Sequence, residues 1–248
     1  MAPKKTLHMK EIFLDPEVRT ATVTRRILNK LPNVPVTIIK DREAFLEKVG
    51  TLPISEGKRS LWLTRFKGDF LKPCPATGKD YLCCRYWTLN IQTHCPLDCT
   101  YCILQNFLNV PLLTVYANTG NLYREIDRRL KAQPGRLFRM GTGELTDSLA
   151  LDPLTHFNEG LIRHALKRKM ILEIKTKTAL IHHLPKIPKR NILISWSLNP
   201  ADFIKTQEFK SAPLDARLTA AKAAIRKGYR LGFHFDPLLL LPGWRAKY

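Results

Sequence analysis

The chain has 248 residues, enough for one large domain or two modest ones with a full hydrophobic core. Its 44% hydrophobic and 25% charged residues exclude a disordered or fibrous chain, and no apolar run approaches the length of a membrane span. A net charge of +20, from 41 Lys and Arg against 21 Asp and Glu, favours a polyanionic partner such as nucleic acid through counterion release. The alternative is a generally basic, solvated surface, because the cations are spread along the chain.

In chain order, residues 11–16 read as a short strand stopped by proline, and 16–31 carries apolar residues at helical spacing with Arg19, Arg25, Arg26 and Lys30 outside. A strand over 36–40, a helix over 41–49 capped by Asp41 and an alternating strand over 60–66 complete a small α/β unit, assigned to residues 1–80. Cys74, Cys83 and Cys84 follow; adjacent cysteines ligate one metal poorly, so they read as small buried hydrophobes, with a second metal site as the alternative. Residues 86–93 alternate as one strand.

Beyond the segment that follows, the pattern gives a helix over 122–132, a strand over 136–140, a helix over 153–167 and a strand over 170–176. A short helix over 179–184, a strand over 191–198, an Ala-rich helix over 214–227 and a strand over 229–240 complete the series. Strands separated by helices of this length make parallel βαβ units, so residues 81–248 are expected to form a partial (β/α) barrel of five strands. Because the sequence stops at Tyr248 without a sixth strand, a shortened barrel is expected.

The first barrel strand runs into His94-Cys95-Pro96-Leu97-Asp98-Cys99-Thr100-Tyr101-Cys102-Ile103-Leu104-Gln105. A loop leaving a strand end is where a barrel holds its active site. Cys95, Cys99 and Cys102 stand at C-x3-C-x2-C spacing, one ligand short of closing a tetrahedral zinc site or a four-iron cluster, and no fourth Cys or His follows at metal-site spacing. A site with three protein ligands keeps a position open; a zinc loop or buried thiols is the alternative. With three of six cysteines so used, a reducing compartment is expected rather than a disulfide framework. Met1-Ala2-Pro3-Lys4-Lys5 has no apolar signal region, and a cytoplasmic protein with no membrane association is expected.

The other strand ends offer candidate ligand groups. Thr142-Gly143-Glu144 combines a glycine that admits close backbone approach with a carboxylate that accepts from an ammonium group, or forms a turn before a helix. Lys175 at the next strand end is placed to meet a carboxylate, or to be solvated. Ser195, Ser197 and Asn199 suit ribose hydroxyls, with turn formation at Asn199-Pro200 as the alternative. The last strand carries His234, which reads as a satisfied core residue, and Asp236.

The C-x3-C-x-aromatic-C spacing resembles the signature of the radical S-adenosylmethionine superfamily. From Trp62 to Trp244 the chain resembles the spore photoproduct lyase-like branch of that superfamily. This likeness is carried by the Tyr101-Cys102-x-Leu104-Gln105 ending, Thr146-Asp147, Leu154-Thr155-His156, Ser211-Ala212-Pro213-Leu214-Asp215-x-Arg217 and the stretch from Gly228 to Trp244. The resemblance implies a 4Fe-4S cluster on Cys95, Cys99 and Cys102, with S-adenosylmethionine on the fourth iron, reductively cleaved to a 5'-deoxyadenosyl radical. It implies cofactor contacts at Tyr101, Gly143, Glu144, Lys175, Ser197 and Asn199, with Tyr101 and Glu144 as candidate catalytic residues. An electron donor such as flavodoxin or ferredoxin, and a thymine dimer in DNA as the family's substrate, also follow from it. Two positions depart from the family: Glu144 stands where the lyase has its hydrogen-donating cysteine, and Ile103 where it has a second tyrosine. The expectation is therefore a retained radical-generating half acting on nucleic acid or a nucleotide-like substrate. The same chemistry on a protein or small molecule, or a non-catalytic metal-binding or nucleic-acid-binding module, is the alternative.

Overall fold

A computed structural model describes residues 8–74, 85–188 and 191–248. The elements run β1 (Glu11–Leu14), α1 (Thr22–Lys30), β2 (Val36–Ile38), α2 (Arg42–Gly50), α3 (Ile54–Gly57), β3 (Ser60–Thr64), β4 (Leu71–Pro73) and β5 (Tyr86–Leu89). They continue with β6 (Gln92–Thr93), α4 (Leu104–Phe107), β7 (Leu113–Tyr116), α5 (Thr119–Ala132), β8 (Phe138–Thr142), α6 (Asp152–Thr155) and α7 (Phe157–Ala165). The last are β9 (Met170–Thr176), β10 (Ile192–Ser197), α8 (Ala201–Gln207), α9 (Leu214–Arg226), β11 (Arg230–His234) and α10 (Trp244–Lys247).

Two sheets result, ordered β2-β1-β3-β7-β6 and β11-β10-β9-β8-β5-β4. In the second sheet β5, β8, β9, β10 and β11 are all parallel, and β4 closes one edge antiparallel. These are the five barrel strands expected from the sequence, in the expected order, forming an open mixed α/β array rather than a closed barrel. Their period-two alternation explains the layering. Met170, Leu172 and Ile174 of β9, with Ile192, Ile194 and Trp196 of β10, join one hydrophobic core with the helices. The intervening Glu173, Lys175, Ser195 and Ser197 occupy the opposite face of the sheet, so that face is polar. α7 packs on β9, and α9 on β10 and β11.

Several elements differ from the sequence reading. The segment 86–93 is two strands in two sheets: β5 belongs to the second, while β6 pairs antiparallel with β7 of the first. β7 was not expected at all. It inserts parallel to β3, so the first sheet recruits residues from beyond the cysteine loop, and that loop is anchored to both sheets. The helix expected over 153–167 breaks at His156, whose left-handed backbone (φ 52°) separates α6 from α7. The short helix expected over 179–184 is a turn, because the Lys227 ammonium takes the carbonyls of Ile181, His182 and Leu184 in place of helical N–H groups. The last strand stops at His234, shortly before Pro237, rather than running to residue 240. Cys74 is half-buried and unbridged; Cys83 and Cys84, the other members of the suggested second metal site, lie outside the described residues. No described helix is long and apolar enough to cross a membrane.

Candidate active site at the carboxyl ends of the strands

Cys95, Cys99 and Cys102 are free thiols gathered at the carboxyl edge of the second sheet, packed with Leu97, Ala150 and Tyr101. The loop is fixed from several sides. Cys99 forms an antiparallel bridge with Glu208, just past α8, and Thr100 N–H donates to the Gln207 carbonyl at 2.9 Å. Phe209 N–H donates to the Asp98 carbonyl, and the Gln105 amide donates back to the Cys99 carbonyl at 2.7 Å. The buried Lys58 of the first sheet's side reaches the Leu97 carbonyl at 3.2 Å and the Asp98 carboxylate at 3.4 Å. His94 enters the loop with a left-handed backbone and is fully buried, its ring nitrogens meeting no close hydrogen-bond partner among the described residues; burial, aided by Lys58 and opposed by the Val110 backbone, lowers its pKa to about 4 and keeps it neutral.

Three thiols can hold a single metal ion or a cluster, and the chemistry of this donor set distinguishes the two. Burial, followed by the Glu208 carboxylate, pushes the Cys99 thiol up to about 12, and burial with Asp147 raises Cys95 further. Two such thiols become thiolates only against a strong local positive charge, which bound metal supplies. Against that burial, the backbone at Leu97 and Asp147 lowers the Cys95 pKa, the direction in which N–H groups favour a thiolate. Among the described residues no three His, Cys, Asp or Glu side chains converge on a single-ion site. In a four-iron cluster each thiolate binds a different iron, so the sulfurs need not share one coordination shell. The residues therefore fit a cluster.

Around the loop the strand ends form two polar networks. In the first, Glu208 and Arg217 are an ion pair whose side chains are both fully buried. Glu208 accepts from the Tyr101 hydroxyl and, at 3.0 Å, from the Asn199 amide; Arg217 also donates to the Ser197 and Ala212 carbonyls at 2.7 Å. Asn199 is held at its other end by the Tyr248 hydroxyl at 2.7 Å. Burial and the Glu208 bond raise the Tyr101 pKa, so its hydroxyl stays protonated. In the second, Asp147 accepts from Leu149 and Ala150 N–H, from the Thr176 hydroxyl and from Lys177 N–H, tying the β8 end to the β9 end. Gly143 has φ +103°, and a Cβ there would stand 2.9 Å from the Ser148 hydroxyl and 3.1 Å from the Lys175 carbonyl; only glycine fits.

Glu144 and Lys175, read from the sequence as partners for a ligand's ammonium and carboxylate, pair with each other at 3.1 Å, both partly exposed. Ser195 and His234 instead serve an internal cluster on the sheet's polar face. Both bond Glu173 Oε1, at 2.6 and 2.8 Å, and Arg139 bonds Oε2 at 2.6 Å. Burial alone would raise the Glu173 pKa, but these partners outweigh it and hold the carboxyl at about 2. Asp236 lies beyond β11, before Pro237. Sequence reasoning missed Glu208 and Glu173. Glu208 lay three residues before the recognised Ser211-to-Arg217 stretch, and Arg217 was its only signal; Glu173 was hidden by the strong β pattern of its strand.

The sequence profile of spore photoproduct lyase matches residues 83–248. Spore photoproduct lyase of Bacillus subtilis (strain 168) is 27% identical over 165 residues, and that of Geobacillus sp. (strain Y412MC61) 26% identical over 165. Each alignment covers 65% of this chain and 48% of the relative, so the chain spans about half the length of the curated relatives it matches. A solved spore photoproduct lyase variant with bound AdoMet and dinucleoside spore photoproduct superposes with TM-score 0.83 at 20% identity, covering 97% of this chain and 71% of that one. A variant with dinucleoside spore photoproduct alone gives TM-score 0.84 with the same coverage. This structural likeness takes in β1, β2 and β3 of the first sheet, which lie before the residues the profile matches. With its profile matched over more than half of its length, the chain belongs to the spore photoproduct lyase family.

Proposed function

We propose that the chain is a radical S-adenosylmethionine enzyme of the spore photoproduct lyase type, with a 4Fe-4S cluster held by Cys95, Cys99 and Cys102, acting on nucleic acid or a nucleotide-like substrate. The observation that carries this reading is the gathering of three free thiols, two of them buried, at the carboxyl edge of a parallel sheet. Held by Cys95, Cys99 and Cys102, a cluster of this kind would supply the one-electron reduction that splits the C5'–sulfur bond of S-adenosylmethionine into methionine and a 5'-deoxyadenosyl radical, which would take hydrogen from the substrate. The electron comes from a carrier such as flavodoxin or ferredoxin.

The chain's own residues bind and orient. Glu144 and Lys175 set a carboxylate beside an ammonium, the charge complement of an α-amino acid end, and Gly143 lets the backbone approach it. Ser197 and Asn199 offer polar groups for a ribose at the neighbouring strand end. Tyr101, fixed by Glu208 and lying against Phe203 with ring centroids 5.7 Å apart, shields the loop from water. Solved relatives bound to dinucleoside spore photoproduct support the substrate class. Here a carboxylate, which cannot donate a hydrogen atom as a thiol can, stands at Glu144, and Ile103 is 75% exposed without a hydroxyl. The final hydrogen return therefore follows a different route from the lyase's, within DNA-repair chemistry of the same kind. The anaerobically reconstituted chain, reduced with dithionite, should release 5'-deoxyadenosine from S-adenosylmethionine. A chain that takes up iron and sulfide yet leaves the cofactor intact contradicts the enzymatic reading.

A further inference from the structure

The excess positive charge is not spread evenly over the molecule. The segments that lead into β8, β9, β10 and β11, residues 128–138, 163–172, 185–194 and 222–235, contain no Asp or Glu. Helix ends account for part of this. Arg129 and Lys131 in the last turn of α5, Arg163 in that of α7 and Arg226 in that of α9 sit where a helix carboxyl end favours a cation. Lys167, Lys169, Lys186 and Arg230 lie beyond those turns, and helix dipoles do not explain them. All four are exposed, and none of their side chains makes a hydrogen bond or ion pair with a described residue.

These four cations share one edge. β8 to β11 are parallel neighbours, with Phe138 beside Met170, Leu172 beside Ile192 and Leu193 beside Arg230. Adjacent strand starts therefore stand about 4.8 Å apart. Ile187 N–H bonds the Lys227 carbonyl at 2.8 Å, which joins the turn before β10 to the turn before β11. Burial first, then the nearby Lys186 charge, lowers the Lys227 pKa. A cavity of about 280 Å³, lined by Arg139, Asn191 and Arg230, opens on the same edge. Asp127, the carboxylate close by, is already taken by Arg168 and His164.

We propose that this amino-end edge is a second nucleic-acid surface, which grips the phosphate backbone without reading sequence, on the side of the sheet opposite the cysteine loop. The inference goes beyond the cofactor chemistry and stands independently of it. Unpaired cations in a row repel one another, and a chain of phosphates relieves that repulsion while releasing its own counterions. An anionic membrane is the weaker match, because membrane-surface binding needs an apolar helix face beside the cations. α5, α7 and α9 turn their apolar residues inward, which leaves Leu137 and Ile225 as isolated exposed side chains at this edge.

The test is fluorescence anisotropy of a labelled, random-sequence duplex with the whole chain over a range of salt concentrations. The triple variant Lys167→Gln, Lys169→Gln, Lys186→Gln should bind at least about tenfold more weakly at low salt and flatten the log–log salt slope by about two to three. Release of 5'-deoxyadenosine by the same variant should be unchanged. If the wild type releases none, the cofactor reading fails and this one is untouched. Lysine acetylation of the wild type, with and without DNA, is a second readout that does not depend on the variant folding; Lys167, Lys169 and Lys186 should be protected. An unaltered salt slope in a folded variant, absence of protection, or capture by phosphatidylserine vesicles without DNA binding overturns the proposal.

Discussion

The two ends of the second sheet solve opposite problems with charge. At the carboxyl end the ionisable groups are paired: Glu208 with Arg217 and Asp147 with its hydroxyl and N–H donors are buried, and Glu144 with Lys175 lies at the rim. At the amino end Lys167, Lys169, Lys186 and Arg230 are exposed, of one sign and without a side-chain partner among the described residues. A paired, dry network holds groups in fixed positions, as a reacting centre needs. An unpaired, wet one orders nothing and attracts an oppositely charged polymer over a Debye length. The acid-free run of cations that contributes to the +20 net charge thus lies at the edge opposite the active site.

Substitutions at the two ends should therefore fail differently. The largest effect is expected for Arg217→Met, which strands a fully buried Glu208 carboxylate and should cost about 3–5 kcal/mol, lowering Tm in thermal denaturation by about 10 °C. If Tm moves by no more than a surface change would move it, the network is not what holds the cysteine loop to α8.

Next comes Glu173→Gln, which removes the negative charge and one of the two acceptor oxygens that serve Ser195, His234 and Arg139, and should cost about 2 kcal/mol. Its pH dependence has a fixed sign. The folded carboxyl is held at about 2, below the ordinary 4.5, so its stabilisation is complete above 4.5 and is lost as pH falls from there towards 2. Tm measured through that window should fall less steeply in Glu173→Gln than in the wild type; parallel curves would remove Glu173 from the account.

A smaller change is expected at the rim. Glu144→Gln breaks an exposed ion pair and should alter stability by less than about 1 kcal/mol, while weakening S-adenosylmethionine binding about tenfold in calorimetry of the reconstituted chain. The smallest is that of the amino-edge triple variant, whose exposed lysines should leave the unfolding free energy within about 0.5 kcal/mol of wild type even as the salt dependence of DNA binding changes.

Much of this was legible in the sequence, and the exceptions have physical causes. The parallel strands announced themselves by apolar runs separated by amphipathic helices, and the cysteine loop by spacing alone. β7 escaped because Leu113–Tyr116 is a short run whose partner, β3, is about fifty residues earlier; pairing at that distance leaves no local mark. The split between β5 and β6 escaped for the same reason, since period-two alternation continues across a strand that changes sheets. Glu208 and Glu173 look like solvated charges in sequence and become structural only when Arg217 and Arg139 arrive from other elements. The charge asymmetry was invisible because consecutive strand starts lie some thirty residues apart in the chain but side by side in the sheet.

The claim on which the carboxyl end rests is that three thiols hold a multi-iron cluster. Iron, zinc and acid-labile sulfide analysis of the anaerobically reconstituted chain measures it directly. About four iron and four sulfide per chain are predicted, lost in Cys99→Ala and retained in the amino-edge triple variant. One zinc per chain without sulfide would contradict it.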